Sequence, residues 1–366
     1  MSTLRVEALE QPDGTAFVFN NKNLLINGGM NVWQRSTSVP SFSTSGYQTA
    51  DRWRIGAVGG TAIGTWTLSR STDVPSAQGF GYSFKMDCTT ANASPSASSN
   101  TTIQQRIEGQ NLQHLLKGTS SAKAITLSFW IKSNKTGTYI IELIDQDNSR
   151  HICQSYTIDT ASTWEKKTLT FEGDTSGVLD NDNAESLRVN WWIASGSDYT
   201  SGTLATSWAS SVNANRAVGQ VNLADSTSNE LYITGCQMEI GEAATDFQFE
   251  PYESTYLKCL RYNYRLENTV GAPFVFVAVG VVNSSTSSFG QVTMVHPLRD
   301  TPSVSYSSLS HFDIERRDVT PTAIFLLTAS TNLSPGLQWN HASITVGEAS
   351  VLTLDSVGWI NFDAEL

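Results

Sequence analysis

The sequence is short of charge. Asp, Glu, Lys and Arg make up only 16% of its 366 residues, and the balance of 34 acidic against 23 basic gives a formal net charge of −11. Lys and Arg nowhere form a run. Binding to duplex nucleic acid or an anionic membrane rests on grouped cations that displace counterions, so the composition argues against both partners. Cysteine is scarce as well: four residues, at 88, 153, 236 and 259, with no CxxC pair. That spacing speaks against zinc and against a disulfide scaffold, and buried free thiols are expected. The longest apolar run, Ala272 to Val282, is far short of the roughly 20 residues of a membrane span, so no membrane insertion is expected. The opening Met1-Ser2-Thr3-Leu4-Arg5 lacks the apolar stretch of a signal peptide, which implies synthesis in the cytoplasm.

Chemical signatures are missing too. The five histidines, at 114, 151, 296, 311 and 341, show no metal-ligand spacing, and none stands near a serine in a nucleophile elbow. Gly28-Gly29 and Gly59-Gly60 do not open a helix after a strand, so neither is a phosphate cradle. The nearest carboxylate pairs of the kind a glycosidase uses are Glu142 with Asp145 and Asp180 with Asp182. Asp145-Gln146-Asp147-Asn148 and Asp180-Asn181-Asp182-Asn183 read more simply as polar turns. Asp145 and Asp147 in one, and Asp180 and Asp182 in the other, are candidate oxygen ligands for a structural calcium ion. No other cofactor is expected.

What the sequence has is Ser, Thr, Asn and Gly, together with ten tryptophans. The small polar residues suit short strands joined by many turns, and alternation supports that reading. Ile125, Leu127, Phe129 and Ile131 face one way while Thr126, Ser128, Trp130 and Lys132 face the other. Tyr139 to Ile144 follows after Asn134-Lys135-Thr136-Gly137, a turn that predicts a hairpin. Further strands are expected at 65–69, 82–87, 163–171, 187–193 and 230–240. With almost no helix between them, the fold class is all-β: an antiparallel, jelly-roll-like β-sandwich.

The organisation falls into four segments. Residues 1–23 form a leader too small to bury a core of its own. Residues 24–250 form the sandwich. Residues 251–267 carry Tyr256, Cys259, Leu260 and Tyr264 at helical spacing, which predicts a short linking helix. Residues 268–366 form a smaller C-terminal β domain. Its stretch from Phe274 to Val282 is apolar at every position but Gly280, a pattern of burial on both faces. In so small a domain this implies cover from a sister subunit, and Phe274, Phe276, Tyr256 and Leu260 are the expected contacts of a trimer. Of the tryptophans, Trp53, Trp66, Trp130, Trp164 and Trp191 are assigned to the core. Trp208 and Trp339 fall in expected loops and, with Tyr199 and His341, are the candidates for stacking on a sugar ring.

One stretch carries more information than the rest. Asn23-Leu24-Leu25-Ile26-Asn27-Gly28-Gly29-Met30 leads into Trp33-Gln34-Arg35, and Ala50-Asp51-Arg52-Trp53 follows. This series resembles tail-fibre and related virion proteins of tailed bacteriophages. Gln105-Arg106-Ile107-Glu108-Gly109, Leu127 to Ser133, Ile233 to Gly241, Ala244 to Phe247, Cys259 to Tyr262 and the ending Phe362 to Leu366 extend the resemblance. Gly29 and Cys236 depart from its usual residues. The resemblance implies a sandwich similar to carbohydrate-binding modules, a homotrimer within the virion, and a leader at the virion-attached end that meets another tail protein. It also implies adhesion to a host surface polysaccharide, with no catalytic signature. A purely structural virion role and a glycan depolymerase are the alternatives.

Overall fold

The computed structural model describes residues 22–268, 274–315, 319–328, 330–342, 344–355 and 357–366. Residues 1–21 of the expected leader lie outside the described residues.

Thirteen strands build a sandwich: β1 (Ser38–Phe42), β2 (Gly46–Tyr47), β3 (Arg54–Val58), β4 (Thr65–Ser71), β5 (Ser83–Thr90), β6 (Asn100–Glu108), β7 (Ile125–Ser133), β8 (Gly137–Asp145), β9 (Arg150–Ile158), β10 (Glu165–Phe171), β11 (Glu185–Ser195), β12 (Ala209–Ser210) and β13 (Glu230–Ile240). One sheet runs β1-β4-β5-β13-β7-β10, the other β12-β9-β8-β11-β6-β3-β2, and every pairing is antiparallel. Strands with one apolar face must bury it, and here each sheet buries its apolar face against the other. Leu127, Phe129 and Ile131 of β7 meet Tyr139, Ile141 and Leu143 of β8 in one core. The hairpin expected from 134–137 is therefore not formed. β7 and β8 lie in opposite sheets, because both present an apolar face that needs a partner across the sandwich rather than beside it.

Trp53, Trp66 and Trp191 are buried in that core as expected. Trp191 packs at 5.4 Å from Trp53 and 5.7 Å from Phe129, ring centre to ring centre. Trp130 and Trp164 depart from the expectation and stand half-buried. Trp130 takes the outward phase of β7, and Trp164 precedes β10, where its indole donates to Asp73 Oδ1 at 2.9 Å.

The segment between β11 and β13 folds back over the outer face of the seven-stranded sheet. Tyr199, Leu204, Ala205 and Ala217 cover Ile140, Cys153 and Trp192 there. Beneath them lies Glu142, fully buried and held by Arg216 through two contacts of 2.7 and 3.0 Å, by Asn190 and by the Trp192 indole. Burial alone would raise the Glu142 carboxyl. Arg216 and these hydrogen bonds outweigh it and hold the group below the ordinary carboxylate range.

The linking helix α1 (Tyr252–Leu260) is shorter than its periodicity implied. The chain turns after Leu260 and enters β14 (Asn263–Asn268). The strands that follow are β15 (Val275–Ser284), β16 (Ser287–Gln291), β17 (Ser303–Tyr306), β18 (Phe312–Ile314), β19 (Ala323–Leu326), β20 (Gly336–Asn340), β21 (Ala349–Leu354) and β22 (Gly358–Asp363). They form a three-stranded sheet, β14-β22-β17, and a six-stranded sheet, β18-β21-β15-β16-β20-β19. A second core around Phe312, Trp339, Leu352, Leu354, Ile360 and Phe362 lies between them. β15 is not buried on both faces within the chain: Phe276 is 58% and Val279 63% exposed, on a face shared with Phe289 and Phe325. Among the described residues, no helix is long and apolar enough to cross a membrane.

Candidate saccharide-binding cleft

The series singled out in the sequence joins the two β units. Asn27 adopts a left-handed conformation, φ 59°. Its side-chain oxygen accepts from the Asn31 and Val32 amides at 2.8 and 3.0 Å, and its nitrogen donates to the Val32 and Asp51 carbonyls. Trp53 donates its indole to the Asn27 carbonyl at 3.0 Å. Gly28 sits where a Cβ would come 2.0 Å from the Cys236 carbonyl oxygen, so the loop docks on β13 only without a side chain. This frame sends Trp53 into the sandwich core and turns the arginines the other way.

Arg52 is buried to 1% exposure and pairs with Glu365, and its guanidinium lies 3.4 Å from the centre of the Tyr262 ring. Gln34 donates to the Asn263 carbonyl at 2.9 Å. Arg261 contacts Glu108 at 2.6 and 2.8 Å, and Tyr262 also donates to Glu108. Arg299 and Asn183 exchange side-chain to main-chain bonds of 2.9 and 2.8 Å. The C-terminal unit is thus bonded to the sandwich at several points, from the buried Tyr262–Glu108 contact to the exposed Arg299–Asn183 pair, and a space is left between them.

That space is a cleft of about 450 Å³, within the usual size of a small-ligand site. Arg35, Tyr47 and Gln48 line it from the sandwich side, and Arg265, Ser305, Trp359, Asn361 and Asp363 from the C-terminal unit. β22 alternation places Trp359, Asn361 and Asp363 on one face, and the ladder sets Arg265 and Ser305 on either side of Asn361. Trp359 and Tyr47 are half-buried aromatic surfaces. Arg265 stacks over Trp359 at 4.3 Å and Arg35 over Tyr47 at 5.6 Å.

Arg35 reaches Asp363 at 2.8 Å and Glu365 at 3.3 Å. Burial works to lower its pKa, and Glu365, Asp363 and Asp51 more than offset it, so the guanidinium stays charged. Burial pushes the Asp51 carboxyl up to about 6, against Arg35 and the hydrogen bonds from Gln34. Two residues that line the cleft each carry a buried polar atom with no hydrogen-bond partner among the described residues: Arg35 Nη1, a donor, and Asn361 Oδ1, an acceptor.

The residues proposed from sequence sit elsewhere. Trp339 belongs to β20, not to a loop. It is fully buried and donates to Ser350 Oγ at 3.0 Å, so it offers no stacking face. His341 is 4% exposed and bonded to Ser288 at 2.9 Å. Tyr199 is 8% exposed and serves as cover over Trp192, 5.4 Å away. Trp208 alone of the four is half-buried, with its indole donating to the Glu172 carbonyl and Lys117 5.2 Å from its ring. Trp359 was legible as a strand residue, and its two-residue spacing from Asn361 and Asp363 was the signal for a polar, aromatic face.

The calcium candidates are also reassigned. Asp145 is fully buried with Lys117 at 2.5 Å, and Asn148 donates to both its oxygens. An ammonium already neutralises it, which leaves no reason for a cation. Asp147 accepts from the Asp180 amide at 2.9 Å and Asp182 from the Ala184 amide at 2.9 Å, as plain loop contacts. Among the described residues one trio brings three ligand atoms within 4.8 Å of one another, Glu142, His151 and Cys153, and Arg216 holds that carboxylate. Of the expected trimer contacts, Leu260 is 2% exposed and belongs inside the chain. Phe274 and Phe276 are exposed at 36% and 58%, and Tyr256 is half-buried, stacked on Tyr252 at 5.8 Å.

No family model and no curated protein matches the chain. Among solved structures, the enzymatically active domain of tailspike protein 4 of bacteriophage CBA120 is similar at 15% identity, over 60% of this chain and 21% of that one, with a TM-score of 0.30. A putative sugar binding protein from Bacteroides thetaiotaomicron is similar at 15% identity, over 60% of this chain and 100% of that one, with a TM-score of 0.34. TmCBM61, solved with β-1,4-galactotriose, is similar at 9% identity, over 61% and 100%, with a TM-score of 0.30. The chain thus spans about a fifth of the tailspike domain that it matches.

Proposed function

We propose that this chain is a virion appendage protein of the tail-fibre kind that adheres to host-surface glycan through the cleft between its two β units. The observation that carries the reading is the pairing of two half-buried aromatic faces, Tyr47 and Trp359, with an unpartnered donor on Arg35 and an unpartnered acceptor on Asn361. One carboxylate lines the cleft, Asp363, and Arg35 holds it at 2.8 Å. Glycoside hydrolysis generally uses two carboxyl groups across a scissile bond, so the cleft is suited to holding a glycan rather than cutting it.

Placement in a virion rests on the ordered resemblance from Asn23 to Leu366. The homotrimer rests on that resemblance and on the apolar face of β15, β16 and β19, where Phe276, Val279, Phe289 and Phe325 stand exposed. Three copies would present three clefts together, and avidity would multiply a weak single-site affinity. A structural role without a receptor would use that sheet face alone and leave the cleft idle.

A glycan array probed with the whole chain and with Trp359→Ala separates the two readings. The expected result is selective glycan binding that the substitution lowers by about tenfold or more, the loss of one good aromatic contact. An absence of glycan binding, or binding that Trp359→Ala leaves intact, overturns the adhesive reading at this site.

A further inference from the structure

The outer face of the seven-stranded sheet carries one continuous row of side chains across six strands: Tyr47, Arg54, Gln104, Asn190, Glu142 and Cys153. In the neighbouring row Arg106 stands directly opposite Arg188. Like charges opposite one another in a ladder are destabilising, so the placement calls for a compensating anion. The chain supplies one, Glu185, 3.1 Å from Arg106 and 2.6 Å from Arg188. Arg54 forms no ion pair among the described residues, and its Nη1 donates to Gln104 Oε1 at 2.9 Å. Three guanidinium groups thus face one side-chain carboxylate, in a chain whose net charge is −11. Arg106 Nη1 also donates to the Leu366 main-chain oxygen at 2.9 Å, while its Nε is buried without a partner.

The arginines respond to one another. Burial and then the Arg106 charge lower the pKa of Arg54, with Arg188 adding to the effect. Burial likewise lowers Arg106, and Arg188 works in the same direction against Glu185. The cluster adjoins the cleft through a shared residue. Tyr47 lines the cleft, carries Arg35 over its ring, and is the ladder partner of Arg54.

Resting on the cleft reading above, we propose that the glycan this protein holds carries oxyanion substituents, a uronate carboxylate or a sulfate ester, and that Arg54, Arg106 and Arg188 hold them. A guanidinium presents parallel N–H donors that match a carboxylate or sulfate edge. An anion placed there relieves the repulsion that the bare cluster stores. Arg54 is the specificity residue, since it forms no ion pair among the described residues.

The test uses the full chain on an array of neutral, uronate-containing and sulfated oligosaccharides, at low and high salt, beside the variants Arg54→Gln and Trp359→Ala. Arg54 holds no ion pair among the described residues, so its substitution leaves their salt bridges in place. The expected result is about a tenfold preference for an acidic class over its neutral counterpart, weaker at high salt. Arg54→Gln removes most of that preference and leaves neutral binding unchanged, whereas Trp359→Ala lowers both. The uronate and sulfate arms show which oxyanion is taken. Equal binding of acidic and neutral glycans, or a preference that survives Arg54→Gln, overturns this inference alone. Binding of no saccharide overturns it together with the cleft reading.

Discussion

The seven-stranded sheet of the sandwich and the six-stranded sheet of the C-terminal unit treat their outer faces in opposite ways. On the first, the chain from Gly196 to Val221 folds back and seals Ile140, Cys153 and Trp192 beneath its own side chains. The buried Glu142 there is matched by Arg216 and by three further donors. On the second, Phe276, Val279, Phe289 and Phe325 are 41 to 63% exposed, with Val281 opposite Phe289 and Gln338 between Phe289 and Phe325. The sandwich supplies its own cover, and the C-terminal unit leaves this face exposed among the described residues. A covered and an open sheet face thus stand side by side in two joined units.

The sharpest way to break the self-sufficient unit is at its centre. Trp191→Ala empties a fully buried site between Trp53 and Phe129 and is expected to cost about 3–5 kcal/mol, read as a lower denaturation midpoint of the sandwich transition. The joint between the units comes next. Arg52→Ala leaves the buried Glu365 with Arg35 alone, 3.3 Å away, and is expected to cost about 3 kcal/mol, splitting one thermal transition into two. A single unsplit transition would show that the units are coupled by other contacts.

A third effect is set by pH. Asp51 is raised from 3.8 to about 6 by burial, so between these values the folded chain binds more protons than the unfolded one. Its contribution to stability therefore grows as pH falls from 7 towards 4, by on the order of 1–2 kcal/mol. Glu108 and Glu142 act oppositely. Burial raises each, the paired arginines and hydrogen bonds prevail, and their contribution is lost as pH falls through their depressed folded values. Asp51→Asn is expected to remove the first effect and leave the second, which thermal unfolding at stepped pH resolves. The smallest effect on folding belongs to the exposed face. Phe289→Ser is expected to change stability by less than about 0.5 kcal/mol. If the face is an oligomer contact, the same change lowers the mass measured by light scattering.

Much of the sandwich was legible because alternation is a local signal. β7 could be read from Ile125, Leu127, Phe129 and Ile131 without any partner in view. Which sheet each strand joins was not local, and the turn at 134–137 misled because a tight connection serves a crossover between sheets as well as a hairpin. The Trp-Arg series was visible as unusual, yet its role was hidden. Arg35 finds Asp363 at a separation of 328 residues, and Gln34 finds Asn263 at 229. Trp339 and Tyr199 looked like loop aromatics because their flanking residues are polar, and burial depends on what folds over them. The cleft is assembled from Tyr47, Arg265 and Trp359, whose meeting no local pattern encodes.

The most direct measurement is a crystal structure of the whole chain grown with an oligosaccharide that the array selects. The account expects the sugar in the cleft between the units, with a ring against Trp359 or Tyr47. Sugar density on another face, with the cleft empty, would contradict it.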